Sequence, residues 1–297
     1  MWAGATRTFF LTSCVRKRAW GGGDDRFRGR SGPLPITSPD WHSRLCDAFI
    51  SGASELGIPH NPDYNGAEQI GAGYFQRYIS RGSRVSCADA FLRPALKSGK
   101  VELKSDATVV ALRLEGRKAV GVRYVQGGVT RELRARREVI LCAGTINSPK
   151  ILQLSGIGGA DFLRSQGIGA VHDLPGVGEN LRDHFTVRLA ARAKSVSTIN
   201  ELSKGWRLGR EVLNWMAGRP SILALSPSLV HVFWKTRSEL TRGDIQVLFT
   251  PASYKPGSTY VLDDLPGMSA GARQQRPESR GLTPLRRRIE RCSRTAV

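Results

Sequence analysis

The spacing of apolar residues predicts helices in the first hundred residues and strands after them. From residue 41 to residue 56 apolar side chains recur at helical spacing, and Gly57 follows as a cap. A second helix is predicted over residues 86–96, just before a Ser-Gly turn. A short strand is predicted over residues 101–104, where the apolar period changes.

The middle of the chain has the shorter period of β-strands. Three strands joined by tight turns are predicted at residues 108–114, 118–124 and 129–134. Residues 138–143 are apolar almost throughout, as expected of a strand buried on both faces of a parallel sheet. A short helix is then predicted over residues 149–154, with Ser148 as its N-cap and Pro149 at its first position.

The pattern loosens after residue 184. A helix is predicted over residues 206–215 and a strand over residues 244–250. An antiparallel meander, a return to an apolar strand, and a glycine turn into a helix together predict a layered α/β (α+β) fold.

Composition adds a strongly basic charge. The chain has 297 residues, 40% hydrophobic and 24% charged, which suits one large or two ordinary globular domains. The formal charge of +20 would attract nucleic acid or an anionic membrane. The excess concentrates at the ends, because residues 1–30 carry seven basic and two acidic side chains and residues 273–294 carry eight and two. This charge makes a basic nucleic-acid-binding protein without catalytic activity the alternative interpretation. The basic face with interleaved aromatic residues that such a protein would show is absent from the sequence, which argues against it.

The cysteines and the hydropathy of the chain limit the cellular compartment in which the protein is expected. The five cysteines are scattered and form no CxxC pair, which argues against a disulfide framework or a metal site and suits a reducing compartment. No apolar run reaches the ~18 residues that a bilayer span needs. We therefore expect a cytoplasmic protein without a transmembrane segment, with peripheral membrane association left open.

The segment from Gly144 to Gly158 has the strongest indication of chemistry. A glycine at the end of a buried strand lets a ligand approach the backbone, and the next helix offers unpaired N–H groups to an anion or an electron-rich ring. Ligands of open α/β sheets lie in this position. A plain strand–turn–helix junction is the simpler alternative.

The sequence of this segment, GTINSPKILQLSGIG, resembles the second signature of the glucose–methanol–choline (GMC) oxidoreductases. The matching positions include Gly144, Thr145, Ser148, Pro149, Ser155, Gly156 and Gly158. The run LPGVGENLRDH at residues 174–184 and residues 31–34 resemble the same family. The resemblance spans residues 20–280 and is nearest to the choline dehydrogenase and alcohol dehydrogenase branch.

The resemblance implies a Rossmann-like FAD-binding domain with an antiparallel meander, and a substrate domain built on an antiparallel sheet. It implies cofactor contacts at Val109, Ala143, Gly144, Asn180, Asp183 and His184. In this interpretation the Val109 backbone holds the adenine end of FAD, and Ala143 and Gly144 face the cofactor. For Asp183 and His184, a hydrogen-bonded pair that fixes a loop is the alternative.

Two parts of the family pattern have no match. A dinucleotide site uses GxGxxG after a first strand, and this motif does not occur in the sequence. The family's catalytic histidine also has no match, and we expect each of the five histidines to be structural, so no catalytic residue is assigned. The sequence therefore predicts an incomplete and inactive piece of a flavoenzyme.

The resemblance also predicts the organisation of the chain. Residues 20–190 would form part of the FAD-binding domain and residues 191–281 part of the substrate domain. Residues 1–19 are expected to be irregular and foreign to the family, and residues 282–297 a basic, disordered tail. The expected function is FAD-dependent oxidation of the CH–OH group of a primary alcohol, as in choline dehydrogenases. The partners would be a small-molecule alcohol and no specific nucleic acid.

Overall fold

A computed structural model describes residues 17–19, 23–258, 260–283 and 285 of the chain. Most of the two predicted end segments, 1–19 and 282–297, lies outside the described residues. The chain divides into two compact units. The first contains Met1–Val101 and His184–Arg276, and the second contains Glu102–Asp183 and Pro277–Val297. Compact units and functional domains are different divisions, so the predicted domain boundaries stay a prediction.

Fourteen strands occur in the described residues. In chain order they are β1 (Lys17–Ala19), β2 (Leu34–Ile36), β3 (Gly71–Tyr74), β4 (Ile79–Ser80), β5 (Ser83–Arg84), β6 (Ala107–Glu115), β7 (Lys118–Gln126), β8 (Val129–Arg134), β9 (Ile157–Gly158), β10 (His172–Asp173), β11 (Thr186–Arg192), β12 (Val230–Trp234), β13 (Ile245–Thr250) and β14 (Gly267–Gln274).

Six α-helices occur in the same residues. They are α1 (Arg44–Glu55), α2 (Arg93–Lys97), α3 (Gly144–Leu154), α4 (Ala160–Ser165), α5 (Ile199–Leu202) and α6 (Gly205–Met216). A π-helical turn, Ala88–Leu92, precedes α2, and short 3₁₀ turns lie at Asp25–Phe27 and Ile222–Ala224. In the part of the chain that the structure describes, no helix is long and apolar enough to cross a membrane.

The first unit is built on a five-stranded antiparallel sheet in the order β11-β14-β13-β12-β3. Helix α1 packs on one face of it, where Cys46, Val230 and Phe249 form a buried cluster. The rings of Phe49 and Phe249 stack with centroids 4.3 Å apart. Burial of such aromatic surface stabilises by roughly 1.5–3 kcal/mol per side chain, so this helix–sheet contact is the main core of the unit.

Helix α1 confirms the prediction made from residues 41–56. Ser43 begins it, since its hydroxyl oxygen accepts a hydrogen bond from the Leu45 amide. At the other end Gly57 has φ +83°, its amide donates to the Ser54 carbonyl, and the Ile58 amide donates to the Ala53 carbonyl. These two bonds form a Schellman motif, which explains the glycine.

The second unit contains the predicted meander. Strands β6, β7 and β8 form a three-stranded antiparallel sheet, β6 lies at its edge, and helix α3 packs against β6. The predicted strand and turn positions agree with this sheet within two residues. Strands β9 and β10 form a separate parallel pair.

Three sequence predictions in this region are wrong. Residues 138–143 form no strand, and Ile140 is 75% exposed. A strand buried on both faces needs a neighbour on each side, and no described strand pairs with this segment. Residues 101–104 likewise form no strand. Helix α3 begins at Gly144 and not at Pro149, which lies inside the helix.

Candidate functional site

The N-terminus of helix α3 is open to solvent. Gly144 is exposed with φ +80°, and a Cβ added there would meet no atom within 4 Å. The Ser148 hydroxyl accepts a hydrogen bond from the Ala143 amide at 3.1 Å. Ser148, which lies within the helix, thus stabilises the turn that precedes it. Among the residues that the structure describes, no side chain caps the helix N-terminus. Its positive dipole end therefore faces an unfilled surface, as a site for an anion or an electron-rich ring requires.

Ser155 connects the end of helix α3 to the edge strand β6. Its hydroxyl oxygen accepts a hydrogen bond from the Leu112 amide at 2.7 Å and its proton is donated to the Ile151 carbonyl at 2.6 Å. The serine of the sequence motif thus satisfies a backbone N–H at the sheet edge. These two bonds hold the end of the helix against the sheet.

Gly156 is required by close backbone packing. An added Cβ would lie 2.5 Å from the Gly169 carbonyl oxygen, and the residue has φ +82°. The Gly156 carbonyl accepts hydrogen bonds from the amides of Val171 and His172. This approach aligns β9 with β10, and a larger residue would separate them.

Gln153 is a buried polar residue that the sequence analysis did not identify. Its side-chain amide donates to the Val177 carbonyl, and its oxygen accepts from the Leu285 amide. A Cβ on Gly178 would lie 2.7 Å from this amide nitrogen. The glutamine therefore joins α3 to the loop of the LPGVGENLRDH run, and the glycine leaves it room.

Val109 lies next to an irregularity in the edge strand. It pairs with Tyr124, whereas the next aligned pair is Ala111 with Arg123, so Val110 is an extra residue in β6. Such a bulge twists a strand and redirects its backbone groups. The backbone around Val109 therefore departs from regular strand pairing. This irregularity lies on β6, the strand that α3 packs against.

The remaining predicted contacts lie in or beside the loop after β10, and all three are exposed. Asn180 has φ +61°, a conformation that asparagine tolerates better than most residues. The next residue, Leu181, pairs with Gly281. Asp183 ends one stretch of the second unit, and His184 begins a stretch of the first. The His184 ring lies 3.0 Å from the Gln275 carbonyl oxygen.

The histidines have structural surroundings. His231 is fully buried, and its ring packs against Tyr64, Phe75 and Phe233 at centroid distances of 4.3, 5.1 and 5.2 Å. Among the described residues neither of its ring nitrogens has a hydrogen-bond partner. Burial lowers its pKa from 6.5 to about 4, although the nearby Gly71 backbone opposes this shift.

His42, His60 and His172 also contact neighbouring residues. His42 lies edge-on to Tyr74 at 4.7 Å, and His172 lies 3.3 Å from Arg117. His60 forms a parallel bridge with Ala72.

Sequence comparison decides the family. The family described as GMC oxidoreductase matches residues 8–186 of the chain. The chain belongs to the GMC oxidoreductase family. This confirms the resemblance seen in the segment from Gly144 to Gly158. The match begins at residue 8, inside the segment 1–19 that was predicted to be foreign to the family. The predicted boundary between this segment and the FAD-binding domain stays a prediction.

Curated relatives of this GMC protein are named oxygen-dependent choline dehydrogenases. The protein of Chromohalobacter salexigens is 33% identical over 263 residues, which cover 87% of this chain and 47% of the relative. The protein of Brucella ovis is 35% identical over 266 residues, covering 89% and 48%. The chain thus spans about half the length of the curated relatives it matches.

Solved structures support the same fold. Pyridoxine 4-oxidase from Mesorbium loti matches with a TM-score of 0.74 and 28% identity, covering 93% of this chain and 50% of its own. An FAD-dependent oxidoreductase from Chaetomium thermophilum matches with a TM-score of 0.79 over 93% of this chain and 56% of its own. At 20% identity the second likeness shows the fold alone. The predicted α/β (α+β) class with antiparallel sheets is confirmed, and no comparison supports the nucleic-acid alternative.

Proposed function

We propose that this GMC protein contributes the α3 turn and the β6 edge of a flavin site in an FAD-dependent oxidoreductase that acts on the CH–OH group of a primary alcohol. The observation that carries the proposal is the open, uncapped N-terminus of α3, a helix whose other end is bound through Ser155 to the bulged edge strand. The choline dehydrogenase names of the relatives support the reaction class.

The described residues fit one side of the cofactor. The backbone around Val109 would hold the adenine end of FAD, and the amides that follow Ala143 would face an electron-rich part of it. A side chain at Gly144 would project into this open surface, which suits a glycine at a place of close approach. FAD supplies hydride acceptance from the alcohol carbon when it is bound.

The residues of this chain act by positioning. Ser155 and Gly156 fix the direction of α3 relative to β6 and the β9–β10 pair, and this fixes where the helix N-terminus points. Gln153 holds the following loop, which carries Asn180 and Asp183, against the same helix. Such supporting contacts set the geometry of a site without touching the reacting atoms.

A chimera tests this assignment. The segment of a full-length choline dehydrogenase that corresponds to residues 102–183 would be replaced by the residues of this chain. We expect the chimera to purify with bound flavin and to oxidise choline. The same chimera with Gly156→Val should fold less well and lose flavin, since the β9–β10 approach is closed. A folded chimera of native-like stability that lacks flavin would contradict the proposal.

By itself the chain should not retain FAD. The sequence has no GxGxxG motif to hold the pyrophosphate, and the surface at Gly144 is open. Titration of FAD into the purified chain should show weak binding, with amide shifts near Val109 and Gly144. Stoichiometric tight binding would show that a complete flavin site forms without the motif.

A cytoplasmic location, with or without peripheral membrane contact, is proposed alongside and is tested by cell fractionation.

A further inference from the structure

A cavity lies in the first unit, on the sheet face opposite helix α1. Helix α1 packs against Val230 and Phe249. Residues alternate between the faces of a strand, so Gln246 and Leu248 lie on the other face. There a cavity of about 440 Å³ is bounded by the segment after β3, by β5, and by residues of β13 and β14. We call it the arginine cavity.

The charge of the arginine cavity is entirely positive among its lining residues. Arg77, Arg84 and Arg273 line it, and no aspartate or glutamate does. Arg77 is already held, because it donates to the Asp40 carboxylate and to the Ala224 carbonyl, each at 2.5 Å. The other two arginines therefore decide what the cavity can bind.

Arg273 is oriented by a neutral partner. Its Nε and one terminal nitrogen donate to the Gln246 side-chain oxygen at 2.8 and 2.6 Å. This fixes the plane of the guanidinium group without neutralising it, and leaves further N–H donors for a ligand. A guanidinium held in one orientation is suited to paired hydrogen bonds with a carboxylate.

Arg84 has no ion pair among the described residues. Arg84 contributes to lowering the pKa of Asp89, but hydrogen bonds from Ser86 lower it first and Arg93 also contributes. Asp89 is thus engaged by Ser86 and by Arg93, which lies 3.2 Å away. Arg84 therefore adds positive charge to the cavity lining that no ion pair among the described residues neutralises.

The remaining walls are largely apolar. Phe75, Ile79, Leu225, Pro227 and Leu248 line the same cavity. An apolar body would gain burial there, and a negative group would gain the two available guanidinium groups. The guanidinium groups would repel a quaternary ammonium group.

We propose that the arginine cavity binds a small molecule that carries a carboxylate on an apolar body. The proposal goes beyond the flavin-site function and does not depend on it, because the cavity is formed within the first unit. The cavity is a poor site for choline, because choline is a cation and the described lining residues include three arginines and no carboxylate.

The test uses three probes with one ring system. Naphthalene-2-carboxylate, 2-naphthalenemethanol and a 2-naphthylmethyl trimethylammonium salt are titrated into the purified full chain, and binding is followed by probe fluorescence. We expect the carboxylate to bind about tenfold more tightly than the alcohol, which is the effect of a charged hydrogen bond, and the ammonium salt to bind least. Equal affinity for the carboxylate and the alcohol would overturn the proposal.

Charge-neutralising variants locate the site. Arg84→Gln and Arg273→Gln should each weaken carboxylate binding at least fivefold and leave the alcohol unchanged. Arg44→Gln is the matched control, because this exposed residue begins α1 on the other face of the sheet. Arg84 is exposed, so its replacement should not affect folding. Equal loss in Arg44→Gln, or no loss in Arg84→Gln and Arg273→Gln, would show that the probe binds elsewhere.

Discussion

Acid should destabilise the first unit through the buried His231 ring. The folded chain favours the neutral ring, since burial lowers its pKa from 6.5 to about 4. In the unfolded chain the ring titrates near the ordinary value of about 6.5. The stability that the neutral ring contributes is therefore complete above pH 6.5 and is lost as the pH falls toward 4.

The magnitude follows from the two pKa values. Between pH 7 and pH 5 the unfolded ring takes up a proton and the folded ring largely does not, which lowers the free energy of unfolding by about 2 kcal/mol. His231→Leu removes this term with little change in volume. At pH 7 the variant should be as stable as the parent or more so, because two ring nitrogens without partners no longer need burial.

Tryptophan fluorescence is the suitable assay. Neither sequence range of the second unit contains a tryptophan, so the signal does not report on that unit. Urea unfolding at pH 7 and pH 5 should show the loss in the parent and about 2 kcal/mol less of it in His231→Leu. His42→Leu, which removes an exposed histidine, should keep the response of the parent. The same loss in the parent and in His231→Leu would refute the argument.

Three further changes test the packing of the second unit and of α6. Ser155→Ala should cost about 1–3 kcal/mol and expose the Leu112 amide to hydrogen exchange, whereas Ser165→Ala, at an exposed helix end, should not. Gly121→Ala should cost well over 1 kcal/mol and disrupt β7–β8 pairing seen by circular dichroism, since its Cβ would lie 2.2 Å from the Leu133 carbonyl oxygen. Gly209→Ala on α6 has free space and should raise stability by about 1 kcal/mol in thermal unfolding.

Local features of the fold were predictable from the sequence. Helix α1 has its apolar period, its Ser43 cap and its Gly57 end within one short segment, so no distant contact is needed to define it. The β6–β7–β8 meander is similar, because glycine turns join strands that pair with their neighbours in sequence.

Features that depend on distant residues were not predictable. Whether residues 138–143 form a strand depends on partners elsewhere, and their apolar character alone cannot provide them. The start of α3 is set by the backbone of Gly144 and by the bond from Ala143 to Ser148, whereas the Ser-Pro pair indicated a later start. The arginine cavity is lined by Arg84 and Arg273, which are far apart in the sequence and lie on different sheets, so only the tertiary structure of the first unit brings them to one cavity.

The exposed run at residues 138–143 has a practical consequence for anyone who purifies this chain. Its apolar side chains and its backbone groups are free of strand partners in the described structure, and such segments associate between molecules. Concentrated preparations should therefore tend to precipitate through this segment. Ile140→Lys, placed at its most exposed apolar position, is the substitution to make before crystallisation or spectroscopy is attempted.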